Sequence, residues 1–241
     1  ALLSTEEASG AEKAELLIVI PAYNEAENIE RVVNHLTANF PQYDYVVVND
    51  GSRDETAAIC QRNGYNLLNL PVNLGLAGAF QAGLKYADKY GYQYAVQLDG
   101  DGQHRPEYLE SMIKKMEEGY DIVIGSRFVG EKKPFTMRML GSNLIEMAIR
   151  FTTGVNIKDP TSGMRMFSKR MIREFASGLN YGPEPDTVSY LIRQGARVAE
   201  VPVIMDERIL GVSYLTPVNA MRYMLKMLIS ILLIQNFRKR R

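Results

Sequence analysis

Asp99 and Asp101 stand one residue apart at the end of an apolar stretch, Tyr94 to Leu98. Gly100 and Gly102 bracket the second aspartate, and glycine lets a backbone turn tightly. Carboxylates at i and i+2 in such a turn can face one hard cation. Mg²⁺ and Mn²⁺ prefer oxygen ligands and share their shell with phosphate oxygens. The segment Gln97-Leu98-Asp99-Gly100-Asp101-Gly102-Gln103-His104 is therefore a candidate metal–diphosphate loop. A plain Asp-Gly-Asp-Gly surface turn is the competing reading.

The elements around this loop explain how such chemistry would be positioned. Leu16 to Ile20 is a fully apolar run of strand length, closed by Pro21. Asn24 is placed to cap the next helix, with Glu25 and Glu27 in its first turn. Ile29, Val32, Val33 and Leu36 form that helix's apolar stripe. Tyr45 to Val48 reads as a second strand, followed by Asn49-Asp50-Gly51-Ser52. Ser52 to Glu55 has capping-box spacing and predicts a helix to Asn63. A strand over 66–70, a helix over 76–90, the strand before Asp99, a helix from Pro106 towards Gly119 and a strand over 121–124 follow. Beyond Pro134 the pattern loosens. It predicts a helix over 137–151, a turn from Asp159 into a strand over 164–167, and a helix over 184–194. A strand over 197–204, a loop over 208–213 and a final helix over 214–236 complete it.

Strands and helices alternating at this spacing predict an α/β fold: a mostly parallel sheet with helices on both faces. Ligands in such sheets lie beyond the carboxyl ends of the strands. The clusters at Tyr23–Glu25, Asn49–Ser52, Asp99–Gln103 and Ser126–Arg127 all fall at those ends. Four strands delivering polar residues to one rim is stronger evidence than any single motif.

A length of 241 residues is ample for a sizeable core. The 28 basic and 28 acidic residues cancel, so no overall basic field favours nucleic acid. One cysteine, Cys60, excludes an internal disulfide framework and a cysteine-based zinc cluster. No secretory signal pattern and no apolar run of about 18 residues is visible, so a reducing, cytoplasmic setting is the expectation. Residues 1–15 read as a flexible leader, 16–213 as one domain, and 214–241 as a helical extension with a basic tail.

The ordered set of motifs resembles the family 2 glycosyltransferases of GT-A fold, near the polyprenyl- and dolichyl-phosphate sugar transferases. The matching pieces are Val19 through Glu25, Val48 through Ser52, Asn73-Leu74-Gly75, Asp99 through His104, Gly125 through Phe128, and Asp159 through Arg165. The resemblance implies inverting transfer of a sugar from a UDP- or GDP-sugar. It implies that Asp99, Asp101 and Gln103 hold Mg²⁺ or Mn²⁺, with Asp99 and Gly100 against the donor. Pro21, Tyr23 and Glu25 would line the base and ribose pocket. Asp50 would accept a hydrogen bond from the imide N–H of uracil or the matching N–H of guanine. Gly75 would allow close approach of the donor or of a neighbouring backbone. Arg127, Arg165 and Arg208 would hold donor or acceptor phosphate, since a guanidinium grips phosphate through paired hydrogen bonds. Asp159 would lie beside the reacting sugar.

The acceptor is read from charge. A hydroxyl acceptor needs a general base within hydrogen-bond reach, and Asp186 falls where many relatives carry one. Pro185 separates it from Glu184, a departure from the usual pair of acids. A phosphate acceptor is already an anion and needs cationic positioning instead. Three arginines favour polyprenyl phosphate, and Asp186 keeps a glycan hydroxyl as the alternative. A non-catalytic nucleotide-sugar sensor is disfavoured by the retained Asp50, Asp99 and Asp101. Along the final helix, Leu215, Val218, Leu225, Leu228 and Leu232 fall on one side, and Arg238 to Arg241 follow. An apolar face with a cationic end suits peripheral contact with the inner face of the plasma membrane. Packing on the domain itself or a homodimer helix are the alternatives.

Overall fold

The computed structural model describes residues 15–131, 133–134, 136–177, 182–206 and 217–236. Seven strands form one sheet, in the order β3-β2-β1-β4-β6-β5-β7. They are β1 (Leu16–Ala22), β2 (Asp44–Asp50), β3 (Leu67–Leu70), β4 (Tyr94–Gln97), β5 (Ile122–Ser126), β6 (Arg165–Ser168) and β7 (Val198–Pro202). The helices are α1 (Ile29–Asn39), α2 (Thr56–Arg62), α3 (Gly75–Tyr90), α4 (Leu109–Glu117), α5 (Met137–Thr153), α6 (Lys169–Ser177), α7 (Pro185–Arg193) and α8 (Pro217–Leu232). Every pairing is parallel except those of β6, which runs antiparallel to both β4 and β5. The mostly parallel sheet with helices on both faces is therefore as expected. The carboxyl ends of six strands and the amino end of β6 share one rim.

The apolar run of β1 is continuous because both its faces are covered. Leu17 and Val19 join the core beneath α3, α5, α6, α7 and α8, while Leu16, Ile18 and Ile20 join that beneath α1, α2 and α4. Strands buried on both faces lose the polar–apolar alternation of half-exposed ones. Pro202 is tolerated because β7 is an edge strand. Cys60 is fully enclosed, and burial pushes its thiol up to about 11.

Two predicted caps do different work. Asn24 adopts φ 56° instead of capping a helix, and α1 begins only at Ile29. Its side chain accepts from Arg53 N at 2.9 Å, and its own N–H donates to Ser52 Oγ at 3.0 Å. Ser52 likewise caps nothing. Asp54 accepts from Thr56 N at 3.0 Å and from Ala26 N at 3.1 Å. The polar residues expected to start two separate helices instead sew the β1 and β2 rim loops together. Helix α6 was not anticipated. Its apolar residues Met171, Ile172 and Phe175 are interleaved with basic ones in only nine residues, too short for a clear period.

Helix α8 packs against α5 and α7, and its Met227 and Ile231 are buried in the core. Among the described residues no helix is long and apolar enough to cross a membrane. All but the last residue of the leader expected over 1–15, the loop over 208–213 and the basic tail lie outside the described residues.

Candidate active site

Strand β4 ends at Gln97 and delivers Asp99 to the rim. The loop then folds back on His104, whose Nδ1 accepts from Asp99 N at 3.0 Å. His104 Nε2 lies 3.6 Å from Asp99 Oδ2, and the side chain of Asp99 is 36% exposed. Gln97 Nε2 donates to Asp99 Oδ1 at 3.0 Å. Asp101 lies deeper, at 8% exposure, and its Oδ1 accepts from Gln103 N at 3.1 Å. Arg31 donates to the Asp101 carbonyl at 3.0 Å. Two glycines make this loop possible. A Cβ on Gly100 would stand 3.1 Å from the Pro21 carbonyl oxygen, and one on Gly163 would stand 3.2 Å from Asp99 Oδ2.

The loops after β1 and β2 converge on the same rim. Glu25 accepts from Asn28 Nδ2 at 2.9 Å, and Tyr23 lies half-buried just before it. Asp50 is buried and accepts from Leu74 N at 2.7 Å, so it fixes the Asn73–Gly75 segment against the end of β2. Gly51 and Gly75 both have positive φ, and a Cβ on Gly51 would overlap the backbone at Val72 and Asn73.

On the other side, Arg127 makes a two-pronged pair with the fully buried Asp159, Nε to Oδ2 at 2.7 Å and Nη2 to Oδ1 at 2.8 Å. Glu200 receives the N–H groups of Lys158 and Asp159 at 2.7 and 2.8 Å. Arg165 is 2% exposed and donates to the Pro160 carbonyl at 2.6 Å and to that of Pro183. Burial lowers its pKa, and the nearby Tyr223, Glu184, Asp159 and Asp186 oppose that shift.

A cavity of about 1070 Å³ joins these parts. Asp99, Gln103, His104, Arg127 and Arg165 border one end. Leu140 and Leu144 of α5 and Met221, Met224, Leu225 and Leu228 of α8 border the other. Asp99, Asp101 and Gln103 offer hard oxygen donors, the set that suits Mg²⁺ or Mn²⁺ over softer metals. Among the described residues no group of three or more His, Cys, Asp or Glu converges.

The sequence pattern described as Glycosyl transferase family 2 matches residues 17–176. The chain belongs to that family. This family 2 glycosyltransferase is 32% identical over 223 residues to the polyprenol monophosphomannose synthase of Mycolicibacterium smegmatis, covering 87% of this chain and 84% of that protein. It is 31% identical over 210 residues to the undecaprenyl-phosphate mannosyltransferase of Micrococcus luteus, covering 82% of this chain and 86% of that one. Its fold matches glucosyl-3-phosphoglycerate synthase from Mycobacterium tuberculosis, solved with Mn²⁺, UDP and phosphoglyceric acid. There the TM-score is 0.66 at 21% identity, over 94% of this chain and 80% of that one.

Within the glycosyltransferase, two expected roles meet a different geometry. Arg165 was expected to grip a phosphate, but two of its nitrogens are committed to backbone carbonyls that brace the loops around it. Asp186 is not among the residues that line the cavity. Its Oδ2 accepts from Ser230 Oγ at 2.6 Å and Gln235 Nε2 at 3.2 Å, and its Oδ1 from Thr187 N at 2.8 Å. The acid on the cavity wall is Glu184, which accepts from Tyr223 Oη. Pro185 stands between the two acids at the first position of α7. Arg208 lies outside the described residues. Sequence reading missed Tyr223, whose hydroxyl pKa is pushed far up by burial and by Glu184. It also missed Asp206, which Arg105 Nε meets at 2.9 Å and whose N–H donates to the Gln103 carbonyl at 3.0 Å. No local pattern marks either residue, since each works through a partner distant in sequence.

Proposed function

We propose that the enzyme transfers a sugar, with inversion, from a UDP- or GDP-sugar to a polyprenyl phosphate at the cytoplasmic face of the membrane. The carrying observation is the cavity, polar at Asp99 and Gln103 and apolar where α5 and α8 wall it. A phosphate head at the polar end with an isoprenoid chain along the apolar wall matches both chemistries. Leu140, Leu144, Met221 and Leu225 are each more than 40% exposed, so this wall continues to the surface. Exposed apolar side chains in such a cluster mark an interaction surface, here a lipid one. The names of the two mannosyl-transferring relatives support this acceptor.

Asp99, Asp101 and Gln103 are the residues that would hold Mg²⁺ or Mn²⁺. When bound, the cation supplies Lewis-acid neutralisation of the departing diphosphate. Asp50, Tyr23 and Glu25 orient the nucleoside. An oxygen of the acceptor phosphate attacks the anomeric carbon while the bond from that carbon to the donor diphosphate breaks. The nucleoside diphosphate leaves, and no proton has to be removed from the acceptor. Arg127 and Arg165 provide positive potential at this end, the former held in place by Asp159.

The test incubates purified enzyme with radiolabelled UDP- or GDP-sugars, MnCl₂, and either a polyprenyl phosphate or a soluble glycan. Label should enter the lipid phase with one nucleotide class only, and chelation should abolish it. Label in the glycan and none in lipid would overturn the acceptor assignment.

A further inference from the structure

Gln97 and Arg165 are register partners across the antiparallel β4–β6 ladder. Partners directly opposite project from one face of the sheet. Gln97 is 1% exposed and Arg165 2%, and both border the cavity. Gln97 gives its amide N–H to Asp99 Oδ1 at 3.0 Å. Its Oε1 is buried with no hydrogen-bond partner among the described residues, and the same holds for Arg165 Nε. One atom only accepts and the other only donates. Buried polar groups are almost always paired, and each exception needs a cause. Two exceptions of opposite kind at paired positions are complementary in hydrogen-bonding capacity.

We propose that Gln97 is a positioning residue for the metal-binding carboxylate, linking Asp99 to the buried Arg165 guanidinium. This rests on the reading that Asp99 holds the divalent cation. Holding Oδ1 by an amide N–H fixes the rotation of the carboxylate. Oδ2 is then presented to the cavity, where His104 Nε2, at 3.6 Å, is too far for a hydrogen bond. The other end of the same amide receives Arg165 Nε–H. The series Arg165 to Gln97 to Asp99 thus runs along the polar end of the cavity. A leucine at 97 would fill the same space and break both links.

Manganese electron paramagnetic resonance titrations, with UDP or GDP present, test this on the wild type, Gln97→Leu and Gln97→Asn. Loss of the partner that orients a ligating carboxylate weakens metal affinity by about 10–100-fold. Gln97→Leu should show that loss while its circular dichroism spectrum stays native. Gln97→Asn, one methylene too short to reach Asp99, should show it too and carries the test if the leucine variant does not fold. In an Arg165→Lys background, which lacks Nε, Gln97→Leu should weaken Mn²⁺ binding less than it does in the wild type. Equal Mn²⁺ affinity in wild type and the folded Gln97 variant overturns the inference. Absence of Mn²⁺ binding by the wild type itself overturns the metal reading, and the inference with it.

Discussion

Replacing Asp186 separates a catalytic base from a structural latch. In the structure its Oδ2 is the acceptor for Ser230 and Gln235, which are 6% and 5% exposed. Asp186→Ala strips the acceptor from two buried donors. Leaving a buried donor without its acceptor costs about 1–3 kcal/mol. Gln235 Nε2 already lies 3.2 Å from Ser230 Oγ, so the two donors can partly satisfy each other. The net loss should be about 2–4 kcal/mol. For a chain of this size that lowers the melting temperature by roughly 5–15 °C. Asp186→Asn differs, because hydroxyl and amide groups can both reverse donor and acceptor roles. Its cost should stay under about 1.5 kcal/mol. Thermal melts and sugar transfer to polyprenyl phosphate are measured on both variants. Asp186→Asn should keep at least a third of wild-type turnover, roughly a 0.7 kcal/mol change in barrier or less. An Asp186→Asn enzyme with a native melting temperature and no transfer would sink the latch and restore a general base, and with it a hydroxyl acceptor.

Three further outcomes are expected. Gly163→Ala pushes a methyl towards His104 Cε1 at 3.1 Å and Asp99 Oδ2 at 3.2 Å, so it should destabilise by about 1–3 kcal/mol and weaken Mn²⁺ binding; native values of both, by calorimetry, would contradict the packing described. Leu144→Asp and Leu225→Asp alter side chains that are 43% and 58% exposed, so stability should change by less than about 0.5 kcal/mol. Transfer to vesicle-borne polyprenyl phosphate should nevertheless fall, while a short isoprenyl phosphate in solution is used as before; an equal loss on both acceptors would count against a lipid-facing wall. Burial opposes ionisation of Asp54, but hydrogen bonds from Thr56 and Ala26 outweigh it and hold its carboxyl below the ordinary range. Its stabilisation is present above the unfolded aspartate value and is lost as pH falls through the folded one. Solvent screening limits it to about 1 kcal/mol. The melting difference between wild type and Asp54→Asn should thus shrink as the pH is lowered from 7 towards 3, and a difference independent of pH would refute the assignment.

Much of this was legible in the chain because it is local. Apolar runs such as Leu16 to Ile20 and terminators such as Gly91 report strands and helix ends within a few residues, and the paired aspartates after Leu98 mark a rim loop directly. What was hidden depends on partners far away in sequence. Asn24 and Ser52 look like helix caps until the loop carrying the other is placed beside each of them. Asp186 resembles a base until Ser230 and Gln235, 44 and 49 residues later, close on it. Arg165 resembles a phosphate anchor until the carbonyls of Pro160 and Pro183 are brought to its guanidinium.

The reversed direction of β6 has a wider consequence. Around most of the rim the chain is leaving the sheet; at β6 alone it is arriving. The approach through Asp159 to Gly163 therefore enters the rim against the direction of the other loops, and its contacts with Arg127 and Asp99 tie two exits to one entrance.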